Sequence, residues 1–148
     1  MTVDDIKTLQ HAAENALSRA YAPYSGFPVG AAVMTFSRDI FVGCNVENAA
    51  YPLGLCAEAG ALSALVVQRG FVRVQALFVV VEGAERAWPC GACRQRLQEF
   101  AAPETMVYAA RLGGAWACLP FARLLPASFG PHNLAIGPHT SGLPEKGE

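Results

Sequence analysis

The sequence has few charged residues and no excess of either sign. Only 16% of its 148 residues are charged, and the formal net charge is −1. Binding to nucleic acid needs a basic face that neutralises phosphates, so the composition argues against a nucleic-acid substrate. Hydrophobic residues make up 53% of the chain. That fraction is high for a soluble monomer and indicates apolar surface that partner subunits cover.

Long hydrophobic runs are also missing. The most apolar run, residues 76–81, is far too short to cross a bilayer. The segment Met1–Gln10 carries Asp4, Asp5 and Lys7 and has no apolar core of signal-peptide length. We therefore expect a cytoplasmic protein with no membrane partner.

The cysteines are too few and odd in number for a disulfide framework. There are five, and without a secretory signal such a set favours metal ligation in a reducing compartment. Cys90 and Cys93 have C-x-x-C spacing, and Cys56 lies two residues before Glu58. A catalytic zinc keeps three protein ligands and one open position, so these three thiols are the candidate ligands.

A C-x-x-C pair has other interpretations. It could be a thiol redox pair, or half of a structural zinc site with Cys44 or Cys118 as the fourth ligand. Both of these cysteines lie in apolar stretches, where a buried free cysteine is ordinary. Glu58 favours catalysis, because a carboxylate among Leu and Ala neighbours is costly without a task. Beside a metal-activated water it can move protons.

Hydrophobic spacing predicts alternating helices and strands. Helices are expected at residues 3–20, 56–68, 91–100 and 121–125, and strands at residues 29–36, 40–46, 72–81, 105–110 and 115–119. This order predicts an α/β fold with a mixed sheet between helices. We expect one domain over residues 1–131 and a poorly ordered tail over 132–148, which is rich in Gly, Pro, Ser and Thr.

Two candidate ligands are expected to begin helices. Cys56 and Cys90 each follow a loop that leaves a strand, which is where ligands bind in open α/β sheets. The positive end of a helix also lowers the pKa of a thiol there. Two helix starts directed at one metal would hold three thiolates and leave a fourth position open.

Several motifs resemble the small homotetrameric cytidine deaminases. They are YSGFPVGAA at residues 24–32, NVENAAY at 45–51, CAE at 56–58, PCGACRQ at 89–95, LLP at 124–126 and FGP at 129–131. The resemblance covers about residues 15–131. It implies a cytidine deaminase-like three-layer α/β/α fold with a mixed five-stranded sheet and one Zn²⁺ per subunit. It also implies hydrolytic deamination of cytidine and 2′-deoxycytidine to uridine and 2′-deoxyuridine, with release of ammonia, in pyrimidine salvage.

The resemblance implies a role for each candidate residue. Cys56, Cys90 and Cys93 would hold zinc, and Glu58 would be the proton shuttle. Seven more residues would bind the nucleoside substrate, namely Phe27, Asn45, Val46, Glu47, Tyr51, Ala57 and Phe129.

The resemblance implies that different residues bind the sugar and the base of the nucleoside. Asn45 and Glu47 would bind the ribose 3′-hydroxyl. Phe27 would pack against the pyrimidine, and the Ala57 backbone N–H would meet its 2-oxo group. Without the family, Asn45 and Glu47 read as polar turn residues, and Phe27 as a core aromatic.

Two aromatic residues are implied to act across subunits. Tyr51 and Phe129 resemble residues that such tetramers lend to a neighbouring site, although Phe129 alone could be a core aromatic. The resemblance therefore predicts a homotetramer whose active sites are shared between subunits.

The chain departs from the family pattern beside the expected site. It has Ala59 where the family commonly has Arg, and Pro52 and Gly54 where Gly and Thr are common. The enzymatic alternative is a deaminase of a modified cytosine nucleoside such as blasticidin S, although residues 45–51 favour an ordinary nucleoside. A non-catalytic zinc-binding module is the alternative from another class. Because Arg94 should point away from the sulfurs, we expect no guanidinium in contact with Cys56 or Cys90.

Overall fold

A computed structural model describes residues 1–134 of the chain. Its helices are α1 (Val3–Leu17), α2 (Ala57–Arg69), α3 (Gly91–Leu97) and α4 (Phe121–Leu124). Its strands are β1 (Val29–Thr35), β2 (Ile40–Cys44), β3 (Val74–Val81), β4 (Met106–Arg111) and β5 (Ala117–Pro120). The strands form one sheet in the order β2-β1-β3-β4-β5, in which β3 and β4 run parallel and the other neighbours antiparallel. The predicted mixed five-stranded sheet is confirmed.

Helices cover both faces of the sheet. On one face α1 packs Leu9 and Ala13 against Phe78 of β3. On the other face α2 packs Leu65 against Val79. Side chains alternate between the faces along a strand, so β3 is buried on both sides, as its continuous apolar run predicts. The three-layer α/β/α arrangement is therefore confirmed.

Two helices, α1 and α3, end well before the residues that the hydrophobic spacing predicts, and α4 ends one residue early at Leu124. Helix α1 stops at Leu17 rather than at residue 20, because the following chain pairs with the strand end at Asn45. The Tyr21 N–H donates to the Asn45 carbonyl (3.0 Å), and the Glu47 N–H donates to the Tyr21 carbonyl (2.8 Å). Helix α3 stops at Leu97 rather than at residue 100, since the Phe100 N–H bonds back to the Leu97 carbonyl (2.9 Å) in a tighter turn.

The loop after β2 and the chain end also differ from the prediction. The sequence predicts a loop without regular structure after β2, but the structure has a 3₁₀ turn at Tyr51–Leu53. Pro52 suits this turn because proline is favoured at the start of a helix. Residues 131–134 form a second 3₁₀ turn, although the predicted tail begins at 132, and the rest of that tail lies outside the described residues. No helix within residues 1–134 is long and apolar enough to cross a membrane.

Strand register brings distant loops to one edge of the sheet. Val29 at the start of β1 lies beside Val81 at the end of β3. Gly30 lies beside Cys44 at the end of β2. The loop before β1, the loop after β2 and the loop after β3 therefore meet, which is where open α/β sheets bind ligands.

Helix α2 approaches this edge unusually closely through Gly43. A Cβ atom at Gly43 would lie 2.3 Å from the Ala57 carbonyl oxygen and 2.4 Å from the Ala61 nitrogen. Only a residue without a Cβ lets the backbone of α2 come so near β2. The first turn of α2, with Cys56 before it, is thereby fixed against the sheet.

Candidate active site

The three candidate metal ligands come together. The Sγ atoms of Cys56, Cys90 and Cys93 all lie within 4.8 Å of one another, and the Cys56 and Cys90 sulfurs are 3.9 Å apart. With Zn–S bonds of about 2.3 Å, sulfurs in a tetrahedral zinc site lie about 3.8 Å apart. The donor set is all thiol and numbers three, so the residues present fit a catalytic zinc.

Two of the thiols occupy helix starts, as predicted. Cys56 is the N-cap of α2 and Cys90 is the N-cap of α3, both with extended backbone angles. The first amides of each helix have no intrahelical acceptor and present partial positive charge to the sulfurs. Two separate elements therefore contribute to one site, and Cys93 on the first turn of α3 completes it.

Burial and hydrogen bonding affect the thiols differently. Burial raises the pKa of Cys93, which is 1% exposed, and also that of Cys56. Burial raises the pKa of Cys90 as well, but hydrogen bonds from the Cys93 backbone and from the other two thiols outweigh it, so the pKa of Cys90 is lowered. Metal ligation by thiolates requires that a metal displace the thiol protons when it binds.

Glu58 lies beside the thiols on the first turn of α2. Its side chain is 6% exposed, and it accepts no hydrogen bond from residues 1–134. Within residues 1–134, every fully buried side-chain oxygen has a hydrogen-bond partner. The Glu58 oxygens have none, so they are not fully buried, and they face the cavity that Glu58 lines. A carboxylate in this position is free to exchange protons with a bound molecule.

A cavity of about 640 Å³ opens in front of the thiols and Glu58. This volume is in the range of small-molecule sites. Its lining includes most of the sequence-predicted site residues, namely Phe27, Asn45, Val46, Glu47, Tyr51, Cys56, Ala57, Glu58 and Cys90. The cavity therefore unites residues that are far apart in the sequence.

The polar end of the cavity is formed by Asn45 and Glu47, just after β2. The Asn45 side chain accepts from the Val29 N–H (2.8 Å) and donates to the Phe27 carbonyl (2.9 Å). The Glu47 carboxylate accepts from the Tyr24 N–H at 2.9 Å. Both side chains thus fasten the loop before β1 to the strand end, a second task that the sequence did not reveal.

Ser25 also binds Glu47 and was missed as a site residue. Its hydroxyl and its backbone N–H both donate to the carboxylate, the latter at 3.2 Å. The hydroxyl bond heads the causes that hold the pKa of Glu47 below its ordinary value, followed by the Tyr24 N–H. The motif at residues 24–32 contains Ser25, but a contact across 22 positions leaves no local signal.

An apolar part of the cavity lining was largely missed as well. Val79 and Val81 of β3 line it together with Ala87 and Trp88. The period-two alternation of β3 could have placed the two valines on one face. Phe27 is 39% exposed, and a Cβ on Gly83 would lie 3.1 Å from its ring, so Gly83 lets the ring lie close.

The two residues expected to act across subunits are prominent on the surface. Tyr51 is 74% exposed, and its ring lies 5.9 Å from that of Tyr24 at the cavity rim. Phe129 is 57% exposed and lies outside the cavity of its own chain. Its carbonyl accepts a hydrogen bond from Gln95 Nε2 (2.9 Å) on α3, the helix that carries Cys93.

Arg94 lies near the thiols in the sequence but bonds elsewhere. Arg94 turns away from them, donating from Nε to the Pro89 carbonyl (2.7 Å) and from Nη1 to the Leu124 carbonyl (3.0 Å). Across residues 1–134, no arginine hydrogen-bonds to Cys56 or Cys90. The Cys93 backbone N–H hydrogen-bonds to the Cys90 sulfur, and the starts of α2 and α3 present partial positive charge to Cys56 and Cys90.

Fold and site together define a metal-dependent enzyme that acts on a small molecule. The sequence matches the family described as "Cytidine and deoxycytidylate deaminase zinc-binding region" over residues 3–110. The chain belongs to this family of zinc-binding deaminases.

Individual relatives agree with this assignment. A cytidine deaminase from Sporosarcina psychrophila is 39% identical over 131 residues, which are 88% of this chain and 96% of that protein. The crystal structure of cytidine deaminase from Burkholderia pseudomallei superposes with a TM-score of 0.79 at 40% identity, covering 87% of this chain and 100% of the other. The enzyme from Mycobacterium leprae gives a TM-score of 0.70 at 40% identity, covering 82% and 97%.

Proposed function

We propose that this chain catalyses the hydrolytic deamination of cytidine and 2′-deoxycytidine to uridine and 2′-deoxyuridine, releasing ammonia. The observation that carries the proposal is one cavity lined by Cys56, Cys90 and Glu58 and also by Asn45 and Glu47. The Cys93 sulfur lies within 4.8 Å of the other two. When bound by Cys56, Cys90 and Cys93, zinc supplies a Lewis acid that makes a nucleophile from water at neutral pH.

Glu58 is the proposed proton shuttle. It takes one proton from the water that attacks ring C4 and delivers it to N3. It then takes the proton of the new C4 hydroxyl and delivers it to the amine, which leaves as ammonia while the C4 carbonyl forms. Its carboxylate is nearly buried and makes no hydrogen bond within the described chain, so it can change partners during the reaction. The mostly apolar lining of the cavity strengthens its interactions with the polarised ring.

The proposed base contacts come from α2 and from the loop before β1. The Ala57 N–H is among the first-turn amides of α2, which have no intrahelical acceptor, and it can donate to the 2-oxo group. The Phe27 ring lines the same cavity and supplies an apolar surface for the pyrimidine. Val46 lies between the two sugar-binding residues and lines the cavity beside them.

The sugar contact follows from the hydrogen-bonding capacity that remains at Asn45 and Glu47. A carboxylate offers about four acceptor positions, and three are filled on Glu47 by Tyr24 and Ser25. The Asn45 amide has one N–H left after its bond to the Phe27 carbonyl. One acceptor and one donor side by side match a single hydroxyl, which supports the 3′-hydroxyl as their ligand.

We also propose a homotetramer in which Tyr51 and Phe129 complete neighbouring sites. Support comes from their exposure and from other exposed apolar residues near the rim, including Leu53 (71%) and Leu55 (45%). Sedimentation at micromolar concentration is expected to give a tetramer. A fully active monomer would contradict this assembly.

The proposed setting is cytoplasmic pyrimidine salvage, with residues 1–131 as a single catalytic domain. All five cysteines are free thiols, which suits a reducing compartment. A chain ending at residue 131 should keep full activity if the domain is complete at that point.

Ammonia release tests the proposed reaction. Cytidine and 2′-deoxycytidine should be turned over at similar rates, whereas cytosine, adenosine and blasticidin S should be poor substrates. Preference for blasticidin S would favour a modified-cytosine deaminase instead. Zinc binding without turnover of any substrate would favour a non-catalytic module.

A further inference from the structure

Ser25 connects the two ends of the proposed substrate. Its hydroxyl donates to Glu47 Oε1 and accepts the Phe27 N–H at 3.0 Å. Its own backbone N–H donates to Glu47 Oε2 at 3.2 Å. One serine therefore joins the carboxylate proposed for the sugar to the residue proposed for the base.

The hydrogen bonds from Ser25 and Tyr24 determine which oxygen of Glu47 can still accept a hydrogen bond from a substrate. Oε2 is filled by the two backbone N–H groups of Tyr24 and Ser25, at 2.9 and 3.2 Å. Oε1 accepts the Ser25 hydroxyl and has one acceptor position left. Without this hydroxyl, Oε1 would be held by nothing else among the described residues, and water would compete for it.

We propose that Ser25 is a positioning residue that sets recognition of the sugar hydroxyl by holding Oε1 of Glu47 in place. The inference rests on the proposed function. It assigns Ser25 no contact with the reacting atoms. Its effect should therefore fall on substrate binding, and only on substrates that carry the hydroxyl that Glu47 receives.

The test measures kcat and KM of Ser25→Ala with cytidine and with 3′-deoxycytidine. Hydrogen bonds to charged groups contribute enough to change binding about 10-fold or more. We expect KM for cytidine to rise about tenfold while kcat stays within about twofold. With 3′-deoxycytidine, kcat/KM should change little, and Ser25→Thr should restore the KM for cytidine.

Ser37→Ala is a matched control at the opposite end of the sheet. Ser37 lies in the turn between β1 and β2, and its hydroxyl also donates to a carboxylate, that of Asp39, at 2.8 Å. Loss of this hydroxyl should leave both kinetic constants unchanged. A KM change equal to that of Ser25→Ala would overturn the inference.

A double substitution tests the route through Glu47. In a Glu47→Gln background, Ser25→Ala should add little to the KM for cytidine. Fully additive effects, or equal losses on cytidine and 3′-deoxycytidine, would mean that Ser25 acts through Phe27 or the loop, and would overturn the inference. If the wild-type enzyme deaminates cytidine and Ser25→Ala leaves the KM for cytidine unchanged, only this inference is overturned. A wild-type enzyme inactive on cytidine defeats the proposed function as well.

Discussion

The two ends of the cavity hold their functional side chains in opposite ways. At the metal end, Cys56 and Cys90 stand at helix starts, and Glu58 has no hydrogen bond within residues 1–134. At the polar end, where we propose that the sugar binds (the sugar end), Asn45 and Glu47 are each bonded to the loop before β1. In the proposed mechanism Glu58 must change hydrogen-bond partners and is left free, whereas Asn45 and Glu47 only recognise the substrate and are fixed beforehand.

The largest effect is expected from a substitution at the metal end that leaves the three cysteines unchanged. Glu58→Gln is nearly isosteric, so zinc content should stay at one per chain while kcat falls about 10²–10⁴-fold. Glu104→Gln, at an exposed position, is the control and should be fully active. If zinc is retained and turnover stays within about tenfold of wild type, Glu58 is not the proton shuttle.

The sugar end is tested by changing the substrate instead of the protein. With 3′-deoxycytidine, Asn45 and Glu47 lose the hydroxyl that satisfies their last donor and acceptor. We expect kcat/KM to fall about 10- to 100-fold against cytidine, and to stay within a few-fold for 2′-deoxycytidine. Efficient turnover of free cytosine would show that the sugar end carries no recognition.

The charge around the sulfurs gives a smaller effect at the metal end. Three thiolates and one Zn²⁺ leave an excess negative charge, and Ala59 cannot draw it off. Ala59→Arg should place a guanidinium near the sulfurs and raise kcat by about tenfold at unchanged zinc content, since groups that bind metal ligands matter on this scale. Ser63→Arg adds the same charge on the exposed face of α2. An equal rise in both variants would point to a general charge effect.

The smallest expected effect is a change in the pKa of Glu47 at the sugar end. The Ser25 hydroxyl, with the Tyr24 N–H, lowers the pKa of Glu47, so this carboxylate should stay ionised to a lower pH than an ordinary glutamate. Removing the hydroxyl in Ser25→Ala should move the titration midpoint up. The ¹³C shift of the Glu47 carboxyl carbon, followed by NMR through acid pH, measures both midpoints. Identical midpoints would show that the serine does not bind the ionised carboxylate in solution.

The two motifs of the metal end could be predicted from the sequence because each of them is local. Cys90 and Cys93 lie three residues apart at one helix start, and Glu58 lies two residues after Cys56. The buried strand β3 was equally clear, since its apolar run is continuous. In each case a short stretch of chain fixes both the element and the direction of its side chains.

The sugar end could be predicted only in part, because its contacts are long-range. Glu47 reaches Ser25 across 22 positions, and nothing near either residue indicates the pairing. The same loop explains why α1 ends earlier than predicted. Tyr21 pairs with the chain at Asn45 and Glu47, and this pairing takes the chain out of the helix. Tertiary contacts decided both details, and helical propensity did not.

The close approach at Gly43 limits how this enzyme can change. Because the backbone of α2 rests directly on β2 with no side chain between them, the positions of Cys56 and Glu58 depend on main-chain contact. Any side chain at position 43 would push the first turn of α2 away from the sheet. The loop before β1 and Trp88 line the cavity without entering this contact, so new substrate preferences are more accessible through them than through the first turn of α2.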